Sequence, residues 1–137
     1  QVEPGVLPRF GRALQEDVDR LRLSLAFSGC AEFSDGRLLE LARSLPGSLR
    51  ELSLGLVACG GMGDVGLQGL AESFAERKLT HLDLAMGSCT GVGDEGLRAL
   101  AGRLPPSLLQ LKLRLQHCRG VSGAGLSGLA AGLSGLP

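Results

Sequence analysis

The sequence predicts an α/β solenoid, a fold in which copies of one strand–helix unit stack in a row. Three observations lead to this prediction: a fixed repeat period, an apolar alternation of period two, and a helical period after each alternation. The cysteines mark the period, because they are 29, 30 and 29 residues apart at Cys30, Cys59, Cys89 and Cys118. Self-similarity at a period of about 20–50 residues is typical of such folds.

Each cysteine closes the same phrase, which opens with alternating leucines. The four copies are L-S-L-A-F-S-G-C at 23–30, L-S-L-G-L-V-A-C at 52–59, L-D-L-A-M-G-S-C at 82–89 and L-K-L-R-L-Q-H-C at 111–118. Alternation of apolar residues predicts a short strand with one buried face. Stacking the copies gives three apolar ladders: Leu23, Leu52, Leu82 and Leu111; Leu25, Leu54, Leu84 and Leu113; Phe27, Leu56, Met86 and Leu115.

A helix is predicted after the turn that follows each cysteine. In the second copy, Leu67, Leu70, Ala71 and Phe74 have the spacing i, i+3, i+4, i+7 of an amphipathic helix. Predicted N-caps are Ser34, Gly63, Gly93 and Ser122, each flanked by apolar residues at the spacing of a hydrophobic staple. Asp35, Asp64 and Asp94 add a carboxylate to the first helical turn, where the helix dipole favours it, whereas the fourth copy has Gly123.

These motifs resemble the leucine-rich repeat family. L-x-x-L-x-L followed by a cysteine and a D-x-G-L-x-x-L-A helix is similar to its ribonuclease-inhibitor-like and cysteine-containing subclasses, although two extra residues separate the second leucine from the cysteine. The resemblance covers about 21–137. It implies a right-handed βα solenoid with parallel strands on a concave face and helices on the convex face. One domain is expected over 1–137, with repeats at about 21–48, 49–78, 79–107 and 108–137.

The two ends depart from the repeat. Residues 1–20 lack the strand phrase but keep apolar residues at helical spacing, which predicts either an N-terminal capping helix or the last half of an earlier repeat. The last copy is rich in glycine and ends in Leu133 and Leu136 with nothing charged after Arg119. Since terminal repeats normally carry a polar cap, either the natural chain continues or this end docks on another protein.

Composition excludes several classes of partner. The formal net charge is zero, so the sequence predicts neither nucleic-acid binding nor a basic membrane-binding surface, and no apolar run is long enough to span a bilayer. All 14 acidic residues lie at or before Glu95, which predicts a mildly basic C-terminal patch of Arg98, Arg103, Lys112, Arg114 and Arg119. Four reduced thiols and no visible signal peptide lead us to expect an intracellular, cytoplasmic protein.

The cysteines and the few candidate catalytic residues predict no enzymatic or metal site. Side chains of a ladder point in parallel, so we expect Cys30, Cys59, Cys89 and Cys118 to be buried thiols that donate to backbone oxygens, without converging on zinc. His81 and Asp83 share the exposed strand face with Ser53. However, a triad needs the histidine between the other two, and here the aspartate lies nearer to the serine. No cofactor is expected.

The exposed strand positions form the predicted binding surface. They align in three columns: Arg22, Glu51, His81 and Gln110; Ser24, Ser53, Asp83 and Lys112; Ala26, Gly55, Ala85 and Arg114. The N-terminal half of this surface is small and bland, so candidate contacts with a protein partner are His81, Asp83, Gln110, Lys112, Arg114 and Gln116. We expect a non-enzymatic protein-interaction module. The alternative is an architectural subunit of a larger assembly, bound through its helices or termini, including the uncapped C-terminal repeat.

Overall fold

The protein alternates four strands with four helices. A computed structural model describes residues 21–27, 29, 33–74 and 77–134. In chain order the elements are β1 (Arg22–Ala26), α1 (Asp35–Ser44), β2 (Glu51–Gly55), α2 (Asp64–Ser73), β3 (His81–Ala85), α3 (Asp94–Gly102), β4 (Gln110–Arg114) and α4 (Gly123–Ser134). The α/β class predicted from the two periodicities is therefore confirmed. None of the helices in these ranges has the length and apolar character needed to cross a bilayer.

The strands form one parallel sheet in the order β1-β2-β3-β4. Their register places equivalent residues of successive copies side by side, as in the row Leu23, Leu52, Leu82 and Leu111. This register follows from the alternation, because a slip of one residue would turn the leucines outward. The same pairing aligns the residues of the three predicted columns, which are exposed in β1 and β4 and half-buried in β2 and β3.

The core lies between the sheet and the row of helices. One cluster of buried residues joins the inward leucines of the strands, such as Leu54 and Leu84, to helix residues such as Leu70 and Leu100. Ala42, Ala71 and Ala101 are also buried, where a larger side chain would push helix and sheet apart. The fourth copy is less covered, because Leu111, Leu113, Leu115 and Leu129 are only half-buried.

The helices begin at the predicted residues. The N-caps are Ser34, Gly63 and Gly93 for α1 to α3, and α4 begins directly after Ser122. The residues of the predicted staple are buried in the first three copies, for example Phe33 and Leu38. In the fourth copy Val121 is half-buried and Leu126 is 51% exposed, because no further repeat covers them among the described residues. The staple contact between these two residues stays a prediction.

A tight turn accommodates the two extra residues before each cysteine. In the second copy the Cys59 N–H donates to Leu56 O at 3.3 Å, which closes a four-residue turn. Its third residue, Ala58, has a φ of 60°, as do Ser88 and His117 within a degree. This is the left-handed region required at that position of a type II turn. The same turn therefore recurs without a glycine in three copies.

Several sequence-based expectations concern residues beyond the described ranges. The capping helix or partial repeat predicted over 1–20 lies outside them, as do Cys30 and Leu136. The backbone of α4 includes residue 133, but its side chain is not described. These expectations remain predictions.

Leu84→Asp tests the register of the sheet. The Leu84 side chain is fully buried, so an aspartate there would bury an unpaired charge and should destabilise the fold by more than about 4 kcal/mol. Leu109→Asp is the matched control, because Leu109 is 79% exposed and the same change there should stay within about 0.5 kcal/mol. Urea denaturation followed by circular dichroism measures both. Cooperative unfolding of the Leu84 variant at the wild-type midpoint would contradict the register.

Candidate functional site

The candidate binding surface is the strand face, which we define as the outward side chains of β1 to β4. It is built by the alternation within each strand, since the leucines between these positions point into the core. A depression of about 550 Å³ runs across it, lined by residues of all four strands. The predicted contacts His81, Asp83, Gln110 and Lys112 line this depression.

Charged side chains at the β1 end of the strand face are paired with one another. The Arg22 guanidinium donates to the Glu51 carboxylate in an ion pair. The other oxygen of Glu51 lies 3.7 Å from Nδ1 of His81, an ion pair only when the imidazole is protonated. The hydroxyl of Thr80 lies 2.9 Å from the same nitrogen. The prediction that the N-terminal half of the surface is bland therefore misses the ion pair of Arg22 with Glu51, whose carboxylate also lies near His81 of β3.

The β4 end of the strand face carries charges without partners. Asp83 and Lys112 are neighbours in the register of β3 and β4. Yet within the described ranges neither side chain makes a hydrogen bond or ion pair. Gln110 and Arg114 are exposed beside them. An unpaired acid and an unpaired base in one depression can each accept a complementary group from a partner.

Two of the predicted contacts lie away from the depression. Arg114 is the last residue of β4 and does not line it. Gln116 lies beyond the strand, where its side chain covers Gly87 and its carbonyl accepts from the Ser88 N–H at 2.6 Å. The proposed basic patch is also divided, because Lys112 and Arg114 belong to the strand face while Arg98 lies on α3 and pairs with Glu95. The structure therefore does not form one basic patch from these residues.

The geometry around His81 does not assemble a catalytic triad. Ser53 lies opposite Asp83 in the register, whereas His81 lies opposite Glu51. The imidazole thus has the carboxylate and the Thr80 hydroxyl as its neighbours, and it does not stand between Ser53 and Asp83. Among the residues that the structure describes, no three His, Cys, Asp or Glu side chains are grouped closely enough to hold a metal ion.

Cysteines link successive repeats through their thiols. Each of the three described cysteines donates to a backbone oxygen of the preceding copy: Cys59 to Phe27 O at 3.1 Å, Cys89 to Leu56 O at 2.9 Å and Cys118 to Met86 O at 2.9 Å. All three are buried and outside disulfides. Burial is the largest effect on Cys89 and raises the pKa of its thiol, so it stays protonated and able to donate at neutral pH.

An aspartate column links the same repeats at the helix N-termini, a feature that the sequence analysis missed. Asp35 Oδ1 accepts from the N–H groups of Gly63 and Gly66 at 2.7 and 2.9 Å, so it caps the helix of the next copy. Asp64 accepts from Gly93 at 2.7 Å in the same way, and Asp94 accepts from Ser122 at 2.8 Å. Each carboxylate therefore satisfies N–H groups that the neighbouring helix leaves unpaired.

The sequence does contain a signal for this column. The third helical residue is glycine in the three copies that follow an aspartate, at Gly66, Gly96 and Gly125, but it is Arg37 in the first described helix. A Cβ on Gly66 would lie 2.5 Å from Asp35 Oδ1, and one on Gly96 would lie 2.5 Å from Asp64 Oδ1. Comparing each glycine with the aspartate one period earlier would have revealed the contact.

Comparison with known proteins adds no family assignment, because no protein-family model matches the chain and no curated protein matches it significantly.

Thiol labelling tests the buried cysteine column. In a Cys30→Ala background, a thiol reagent should modify Cys59, Cys89 and Cys118 only as fast as the protein unfolds, because these thiols are buried. Adding Ser88→Cys is the control, since position 88 is exposed one residue away and should react within the mixing time. Mass spectrometry counts the labels. Fast modification of the three native thiols would contradict their placement.

The Asp94 cap predicts a dependence of stability on pH. The Ser122 hydroxyl donates to the carboxylate at 2.5 Å and is the main reason that the pKa of Asp94 is lowered. A lowered folded-state pKa gives a contribution that is present above the unfolded value, about 3.9, and is lost as pH falls through the folded-state pKa. Asp94→Asn should therefore lower the urea midpoint near neutral pH, and its difference from wild type should shrink below about pH 4.

Asp83→Asn is the control for this experiment, because the Asp83 carboxylate has no hydrogen-bond partner among the described residues. Its urea midpoint should differ little from wild type across the same pH range. A difference between Asp94→Asn and wild type that stays constant with pH would rule out a charged cap at this position.

Proposed function

We propose that this chain is a solenoid of the leucine-rich repeat type that binds a protein partner on its strand face and catalyses no reaction. The proposal depends chiefly on Asp83 and Lys112, two charges that lack partners among the described residues and lie in a depression lined by all four strands. Complementary charges on a partner would pair with both, which fixes its orientation more than it raises its affinity.

The character of the strand face supports a protein partner of modest affinity. The surface offers a polar amide and single charges, with only Arg22 and Arg114 as residues of the type that dominates tight interfaces. The depression is lined by charged side chains of both signs, Arg22, Glu51, Asp83 and Lys112. A surface with both signs of charge favours an amphoteric peptide surface over a polyanion. Cys59, Cys89 and Cys118 are buried free thiols, which supports an intracellular location.

The second candidate function is an architectural subunit that is bound through its helices or its C-terminal repeat. It is favoured by large apolar side chains that are exposed in the fourth copy, namely Leu109 at 79% and Leu126 at 51%. Leu109 also adjoins the half-buried row of Leu111, Leu113 and Leu115, and contiguous exposed apolar surface marks contact surfaces. The two candidates place the partner on different sides of the protein, so charge reversal can separate them.

A charge exchange on the strand face tests the proposal. Asp83→Lys combined with Lys112→Glu keeps the net charge and reverses both unpaired charges. Recovery of specific partners from native lysate, measured by quantitative mass spectrometry, should fall by about tenfold or more. The matched control exchanges Glu95→Arg and Arg98→Glu on α3, an exposed ion pair on the helical side, and should leave recovery unchanged.

Each outcome decides between the candidates once circular dichroism has shown that both variants are folded. Loss in the strand-face exchange alone supports binding there, and the recovered protein is then purified and its affinity for both variants is measured. Unchanged recovery in the strand-face exchange contradicts the proposal. Loss in the α3 exchange alone favours the architectural subunit.

A further inference from the structure

The outer edge of β4 lacks the backbone partners that every inner strand has. In the second copy the Leu56 and Ala58 N–H groups donate to Ala85 O and Gly87 O at 2.7 and 2.8 Å. The third copy repeats this contact, with Met86 and Ser88 donating to Arg114 O and Gln116 O at 2.8 and 2.6 Å. The equivalent N–H groups of the fourth copy belong to Leu115 and His117, and neither has an acceptor within the described ranges.

The carbonyl groups of this edge lack their donors as well. Leu21 O, Arg50 O and Thr80 O each accept two N–H groups from the next strand, at 2.7 to 3.2 Å. Leu109 holds the same position before β4, and its carbonyl oxygen receives no hydrogen bond from the described residues. An edge of this kind is a template on which another strand can add.

The side chains of the edge are equally incomplete. Leu111, Leu113 and Leu115 are half-buried, whereas their counterparts Leu82, Leu84 and Met86 in β3 and its turn are at most 1% exposed. Leu109 precedes β4 and is 79% exposed. A strand beside β4 with apolar residues at alternate positions would cover this row, as β4 itself covers the row of β3.

Charge specifies the other residues of such a strand. Lys112 and Arg114 are exposed on the strand-face side of β4 and have no ion pair among the described residues. Positions directly opposite each other in a sheet favour opposite charges, as in the pair of Arg22 with Glu51 across β1 and β2. The residues opposite Lys112 and Arg114 should therefore be acidic.

We propose that the edge of β4 binds an extended protein segment as a fifth parallel strand, in which apolar residues alternate with acidic residues that face Lys112 and Arg114. Its backbone would pair with Leu109, Leu115 and His117, and its apolar side chains would cover the leucine row. This interaction goes beyond the proposed strand-face contact, because it uses backbone groups and apolar side chains at the edge of the sheet.

Two other occupants fit these observations less well. A second copy adding β1 in the same register would place Arg22, Ser24 and Ala26 opposite Gln110, Lys112 and Arg114, and it would supply no carboxylate. A further strand–helix unit would find no aspartate in the first turn of α4, which begins with Gly123. Asp35, Asp64 and Asp94 provide that cap to the helices of the inner repeats.

A synthetic peptide probes the edge directly. The probe is a blocked peptide containing Leu-Glu-Leu-Glu-Leu, added to the ¹⁵N-labelled full chain. Amide hydrogen exchange of Leu111, Leu113, Leu115 and His117 should slow on binding, because their N–H groups gain acceptors. Contacts confined to the strand face would leave exchange at these amides unchanged. No chemical-shift change near β4 at about 1 mM peptide would overturn the proposal.

N-methylation of the peptide supplies a matched control that leaves the protein unaltered. In β2, β3 and β4 it is the polar position, such as Glu51, His81 or Gln110, whose N–H donates to the preceding strand. N-methylation at both glutamates should therefore weaken binding by about tenfold or more, whereas N-methylation at the central leucine should change it less than about threefold. Equal losses in the two peptides would contradict a parallel strand in this register.

Protein variants test the charges and separate this site from the strand face. Lys112→Glu with Arg114→Glu should weaken binding of the glutamate peptide by about tenfold or more and favour a peptide with lysine in place of glutamate. Ser24→Lys changes the same depression three strands away, on β1, and should leave peptide binding unchanged, even if it reduces partner recovery on the strand face. Concentration-dependent self-association that protects the same amides without peptide would overturn the proposal in favour of a second copy.

Discussion

Neighbouring repeats are joined by hydrogen bonds from side chains that reach in both directions: a cysteine contacts the preceding copy and an aspartate contacts the following one. The regular stacking depends on this exchange of hydrogen bonds. In each described copy that has a successor, a carbonyl oxygen accepts a hydrogen bond from the thiol of the next copy, as Leu56 O does from Cys89. The aspartate carboxylate of such a copy accepts a hydrogen bond from an N–H group at the start of the helix that follows, as Asp64 does from Gly93. Burial of leucines drives the copies together, but it is non-directional. The thiol and carboxylate bonds add direction, because each one fixes a neighbour at one height and one rotation.

The exchange also explains how the strand face and the edge of β4 differ. Inner strands have both edges occupied, so a partner can reach only their outward side chains. β4 has one occupied edge in the part of the chain that the structure describes. There its leucine row is only half-buried, the Leu115 and His117 N–H groups have no acceptor, and Leu115 O accepts no thiol from a following copy. Binding on the face would depend on charge and remain modest. Binding at the edge would bury apolar surface and satisfy backbone groups together.

Periodicity made most of the fold predictable. The leucine ladders, the register and the helix N-caps all follow from aligning one copy on the next, because strand and helix periods require particular faces to be buried. The contact of Asp35 with Gly63 and Gly66 was missed because each copy was interpreted within its own boundaries. The pairing of Arg22 with Glu51 was missed for a different reason: a column shows which residues are adjacent, but not which rotamers they adopt.

The unequal environment of the fourth copy was less predictable. Leu126 has the same place in the pattern as Leu97, yet Leu97 is fully buried and Leu126 is half-exposed. Among the described residues a following copy covers Leu97 but none covers Leu126, and the pattern of a single copy does not record its neighbours. The same reasoning accounts for Gln116, which continues the alternation of β4 but lies in the turn beyond it.

The aspartate–glycine contact also means that the repeats are not interchangeable. The second and third copies receive a carboxylate at a glycine and give one to the next helix, so either could follow the other. The first described helix has Arg37 at the position where the later helices have glycine. If this copy followed another one, the Cβ of Arg37 would meet the aspartate Oδ1 of that preceding copy. The fourth copy receives a carboxylate at Gly125 but gives none. Duplication of the segment that encodes a middle copy could therefore lengthen the array without new substitutions. A duplicate of the first copy would need a glycine in place of Arg37, and a duplicate of the fourth would need an aspartate in its first helical turn.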